Sequence, residues 1–158
     1  MSVLDYTNQL INEGLIFSDK TISIGLDEFE SGKKDKLFVM GLSGTGKTTL
    51  GKHLAKKYNV KFIDLDYFKG NSNTLITSPE RQVIVGIGGR DSLLNSPIIF
   101  LGKAFLKSII DATIRDKKLS RIKHKFIKNY GRIASFNKFK EERLKAGGDV
   151  QEFKVPKL

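Results

Sequence analysis

The sequence has no cysteine. That excludes disulfides and thiolate metal sites, and it fits a reducing cytoplasm. No apolar run approaches the roughly 18 residues of a membrane span, so no membrane association is expected. Residues 1–14 contain no basic segment followed by an apolar core, so no signal peptide is expected. Internal repeats and long low-complexity stretches are also missing. Hydrophobic residues still make up 39% of the 158 positions, enough for one ordinary core in a chain of single-domain length.

Positive charge is abundant and unevenly placed. The formal net charge is +11. Between Ile114 and Lys145 twelve Lys and Arg stand against three Asp and Glu, a net of +9. The rest of the chain carries only about +2, so anionic partners should meet this region first.

Apolar spacing predicts the elements. Val3, Tyr6 and Leu10 share one face of a short helix over 2–13, with Gly14 as its stop. Residues 21–26 alternate polar and apolar and read as a half-buried strand. Leu37–Met40, Val60–Asp64, Val83–Ile87 and Pro97–Leu101 are short, mostly apolar runs, as strands buried on both faces require. A helix from Thr48 ends near Asn59. Phe105, Leu106, Ile109, Ile110 and Thr113 mark another. Leu119, Ile122, Phe126, Tyr130 and Ile133 mark a basic helix, Phe136, Phe139 and Leu144 a further short one, and Val150–Val155 a last strand. Strands alternating with helices imply an α/β fold, a parallel sheet with helices on both faces. Ligands of such sheets sit at the carboxyl ends of the strands.

The most informative stretch lies at one such end. Gly41-Leu42-Ser43-Gly44-Thr45-Gly46-Lys47-Thr48 follows the apolar run Leu37–Met40 and precedes a helix. It is G-x-x-x-x-G-K-[ST] in a strand–loop–helix context. Gly41, Gly44 and Gly46 let the backbone turn tightly and aim N–H groups at phosphate oxygens. The helix N-terminus adds a favourable dipole. Lys47 would reach the β- and γ-phosphates, and the Thr48 hydroxyl would sit on Mg²⁺. The chain is therefore expected to bind ATP or another nucleoside triphosphate.

Other strand ends carry polar candidates. Asp64 and Asp66 follow the second buried strand. Asp64 is assigned to the metal side, and Asp66 to an acceptor hydroxyl whose proton it would take. Gly88-Gly89-Arg90-Asp91 follows the third; Arg90 can contact a phosphate or carboxylate, and Asp91 can serve the metal. Arg115, Arg121 or Arg132 in the basic stretch can stabilise charge on a transferring phosphoryl group, or form part of a solvated face. Its aromatics sit at helical spacing, as core residues do, but nucleic-acid contact through 114–145 stays open beside a nucleotide lid. His53 and His124 have no partner nearby in sequence. No apolar strand ends in the acid pair that motor-type ATPases use to hold Mg²⁺ and orient water.

These residues resemble the P-loop kinases of the shikimate, gluconate, adenylate and polynucleotide kinase type. The matching pieces are Gly41 to Thr49, Asp64-Leu65-Asp66, Val83 to Gly89, and Pro97 to Leu101 with a helix ending at Arg115. The chain also resembles small P-loop proteins of bacteriophages. The resemblance implies a three-layer P-loop fold with a five-stranded parallel sheet in the order 2-3-1-4-5. It implies ATP and Mg²⁺ as cofactors, Gly41, Ser43, Gly44, Thr45, Gly46, Lys47, Thr48 and Thr49 as the nucleotide cradle, Asp66 at the acceptor and Arg115 near a lid. Residues 37–158 would form the core, with 114–145 as the lid region and 1–36 as an N-terminal extension without counterpart in the family. The span 67–82 is shorter than the family's acceptor-binding helices. The expected function is phosphotransfer to a small molecule, a nucleotide or a nucleic-acid end. The alternative is a nucleotide-binding module or weak NTPase whose basic helices bind nucleic acid or a protein.

Overall fold

The computed structural model describes residues 2–42, 45–65, 67, 77–86, 96–102, 110, 113–114, 122–145 and 150–154. Six strands form one sheet: β1 (Lys20–Ile24), β2 (Lys36–Gly41), β3 (Lys61–Asp64), β4 (Gln82–Val85), β5 (Ile98–Gly102) and β6 (Val150–Lys154). The described helices of five residues or more are α1 (Val3–Asn12), α2 (Leu26–Glu30), α3 (Lys47–Tyr58) and α4 (Ile122–Lys145). The sheet order is β3-β4-β2-β5-β1-β6. β2, β3, β4 and β5 are parallel, and β1 is antiparallel to both its neighbours.

Three of the four apolar runs became fully buried strands, β2, β4 and β5; β3 lies at the sheet's edge, with Lys61 exposed and only Ile63 buried. Along β2, Leu37 and Val39 enter one apolar cluster while Phe38 and Met40 enter the other. β4 and β5 divide in the same way. Each such side chain taken from water stabilises the fold by roughly 1.5–3 kcal/mol. The first cluster is completed by Val3 and Leu10 of α1, Leu26 and Phe29 of α2, and Leu50, Leu54 and Ala55 of α3. On the second face Ile133 of α4 packs against Phe38, Met40 and their neighbours.

The sheet corrects the expected five-stranded order. The first four parallel positions run as expected, but β1 occupies the place next to β5 and displaces β6 to the edge. Thr21 to Ile24 are all buried, not half-buried, because β1 is bonded on both sides and covered. Its small hydroxyl side chains, Thr21 and Ser23, suit that enclosure. The basic helix and the short helix expected after it are one continuous 24-residue helix, α4. α2 had no sequence signal: five residues are too few to show a helical period. The helix expected over 105–113 lies largely outside the described residues. No described helix is long and apolar enough to cross a membrane.

Candidate functional site

The site starts where β2 runs out. Gly41 pairs with Leu101 of β5, and a Cβ on Gly41 would stand 2.5 Å from the Leu101 carbonyl oxygen. Only glycine permits that approach. The Leu42 N–H then donates to the same oxygen at 3.1 Å, fixing the loop's first residues to the carboxyl end of β5.

The far side of the loop closes on itself. The buried Thr45 hydroxyl donates to the Leu42 carbonyl at 2.8 Å. That hydroxyl is engaged within the loop, so what Thr45 offers an anion is its backbone N–H. Gly46 follows in the left-handed region, φ 92°, as the N-cap of α3. Lacking a side chain, it leaves the first amides of α3 uncapped, and no acidic residue lies in the first turn. α1 is built the opposite way. Ser2 and Asp5 form a capping box, and Glu30 accepts from the Val3 N–H. Of these two helix starts, only α1 is closed by the side chain of its own N-cap residue.

Lys47 is half-buried and folds back across the loop. Its Nζ donates to the Gly41 carbonyl at 3.1 Å and lies 3.5 Å from that of Leu42. An anion arriving at the start of α3 would meet this ammonium. Thr48 is exposed, and Thr49 is half-buried with its carbonyl 2.8 Å from His53 Nδ1. His53 is thus engaged with its own helix.

Asp64 ends β3, half-buried, at the same edge of the sheet as Gly41. The Tyr67 N–H donates to its carbonyl at 3.1 Å, turning the chain there. Among the described residues no three His, Asp or Glu gather into a group that could hold a metal ion. Ser43, Gly44, Asp66, Arg90, Asp91, Arg115 and Arg121 lie outside the described residues.

Sequence reasoning missed contacts between the loop and the segment before β1. The Phe17 N–H donates to the Thr45 carbonyl at 2.9 Å. Ile16 packs so closely on Gly46 that a Cβ there would stand 2.9 Å from Ile16 Cγ2. No local pattern announces contacts between residues so far apart in sequence.

A mostly parallel α/β sheet with a phosphate loop between its central strand and a helix is compatible with the P-loop class. Comparison with known proteins narrows this over a short segment. A family model described as shikimate kinase matches residues 43–74. The chain is 53% identical over 36 residues to the shikimate kinase of Azobacteroides pseudotrichonymphae, covering 23% of this chain and 21% of that protein. It is 58% identical over 33 residues to the shikimate kinase of Bacteroides thetaiotaomicron, covering 21% and 19%. The chain spans about a fifth of the length of the curated relatives it matches. Over that segment the matches support a P-loop kinase family. No solved structure matches the chain significantly.

Proposed function

We propose that this protein is an ATP- and Mg²⁺-dependent phosphotransferase acting on a hydroxyl or phosphate of a small molecule. The observation that carries the reading is Lys47, folded over an uncapped helix start at the carboxyl edge of the sheet, inside a segment similar to shikimate kinases. In this reading the loop amides and Lys47 hold the β- and γ-phosphates, and Thr48 with Asp64 holds the hydrated Mg²⁺. Magnesium supplies charge neutralisation between the phosphates. Asp66 orients the acceptor hydroxyl and takes its proton. Arg90 and Arg115 are assigned to the charge on the transferring phosphoryl group.

The test is transfer of the labelled γ-phosphate of ATP to a panel of hydroxyl acceptors, shikimate among them. Transfer to one acceptor is expected. Hydrolysis with transfer to none would instead make the chain a weak NTPase or binding module. With an acceptor in hand, Asp66→Asn should cut transfer roughly 10²–10⁴-fold and leave ATP affinity within a few-fold, as loss of a positioned base does. An equally active variant removes Asp66 from the mechanism.

A further inference from the structure

Residues 15–19 cross the carboxyl end of the sheet before the chain enters β1. Their exposure alternates: Leu15, Phe17 and Asp19 outward, Ile16 and Ser18 buried. Both ends of this extended segment are fastened. At one end Ile16, 1% exposed, lies against Gly46, and the Phe17 N–H holds the Thr45 carbonyl. At the other, the Ser18 hydroxyl and the Asp19 N–H donate to the Gly102 carbonyl at 2.9 and 3.1 Å. Gly102 adjoins Leu101, whose carbonyl anchors the start of the loop through Leu42. Segment and loop thus share one foundation.

The chemistry of the loop explains why this matters. A backbone that turns its N–H groups inward to an anion turns carbonyls outward, and a buried carbonyl needs a donor. Thr45 is fully buried, and Phe17 gives its carbonyl that donor. Gly46 is the hinge into α3, and Ile16 fills the space its missing side chain leaves.

We propose that residues 15–19 are a strap that holds the phosphate loop in its anion-binding shape, with Ile16 and Phe17 as positioning residues for the triphosphate. The proposal rests on the phosphotransferase reading, through triphosphate binding in the loop. The strap lies outside residues 43–74, the segment similar to shikimate kinases. Coupling between strap and loop is reciprocal, so a triphosphate should also tighten the strap.

The experiment compares four variants with the parent in calorimetric titrations of Mg·ATP and of inorganic tripolyphosphate. Ile16→Ala removes the contact with Gly46. Ile16→Val keeps most of it. Ile24→Ala is the control: it removes an equally buried isoleucine from the other apolar cluster, at the end of β1 away from the strap. Ile16→Ala should weaken both ligands roughly tenfold relative to Ile24→Ala, an ordinary coupling between sites, and Ile16→Val should restore most of the affinity. Ser18→Ala, which leaves no large cavity, should show a smaller loss. In the parent, hydrogen exchange at residues 15–19 should slow when tripolyphosphate is added. If Ile16→Ala and Ser18→Ala bind as Ile24→Ala does and exchange in the strap is unchanged, the strap is overturned and the phosphotransferase reading stands. If the parent binds neither ligand, both fall.

Discussion

Lys47 occupies a position where a small change has a large consequence. Its ammonium lies between loop carbonyls and the uncapped start of α3. Lys47→Ala should raise the dissociation constant for Mg·ATP roughly 10- to 100-fold, the worth of a hydrogen bond to a charged group, about 1.5–3 kcal/mol. The fold should survive, because alanine is a good helix former. Calorimetry reads the affinity and circular dichroism the fold; unchanged affinity would sink the phosphate-loop reading. Gly41, Gly46 and Lys47 were legible in the sequence because their spacing encodes a local backbone shape. Asp64 was legible because a strand-length run ends on it. Ile16 and Phe17 were not, because their roles depend on the far side of the fold. The Thr45 hydroxyl was not either: the spacing marks the residue but leaves its bond to Leu42 unstated.

At the scale of elements, the seating of α3 on the sheet sets where the loop lies. Gly51 makes that seating close. A Cβ there would stand 2.5 Å from Val85 Cγ2 and 2.8 Å from Phe62 Cε2. Gly51→Ala therefore meets two opposed effects. Helix propensity favours alanine by roughly 0.5–1 kcal/mol. Overpacking against β3 and β4 costs typically about 1–3 kcal/mol. Val85 is a stiff, buried strand residue, so packing should win, and the urea midpoint should fall. A raised midpoint would mean that β4 yields. The strands β2, β4 and β5 were readable because burial on both faces leaves an apolar run; β3, at the edge, keeps Lys61 exposed and buries only Ile63. β1 was recognised as a strand but read as half-buried and given no place in the sheet, since alternation of Thr and Ser with Ile is also what a strand with one wet face shows. The division of α4 had a different cause. Ile133, Phe136 and Phe139 are spaced by three, a drift from 3.6 that reads as a new helix although the backbone does not break.

For the whole molecule, two groups, buried Lys36 and half-buried Tyr58, set opposing trends in alkaline solution. The Lys36 side chain reaches the carbonyls of Ser78 and Glu80. Burial lowers its pKa from the ordinary 10.5, partly opposed by the Asp35 and Glu80 carboxylates. The unfolded chain then holds more protons over a window below 10.5, so stability rises with pH there. The cost of the buried charge returns as pH falls through the lowered value. Tyr58, edge-on to Phe29 at 5.6 Å, has its pKa raised above 10.0 by burial and by Glu30. The native state keeps that proton longer, so its contribution is complete below 10.0 and is lost as pH climbs through the raised value. Urea unfolding from about pH 8 to about pH 11 should therefore show a maximum, and Tyr58→Phe should remove the decline while leaving the rise. Superimposable profiles for parent and variant would refute the assignment.

The place of β1 in the sheet also sets a timetable. Its bonding partners are Ile98–Gly102 on one side and Val150–Lys154 on the other. A ribosome makes β1 long before it makes either. β2, β3 and β4 can pair with one another while β1 still waits, and closing the long loops to β5 and β6 carries an entropic cost before any hydrogen bond forms. The strap runs directly into β1. The strap's far anchor, Gly102, and the loop's own anchor, Leu101, both belong to β5, so the nascent chain fixes the loop only after β5 has been made and paired.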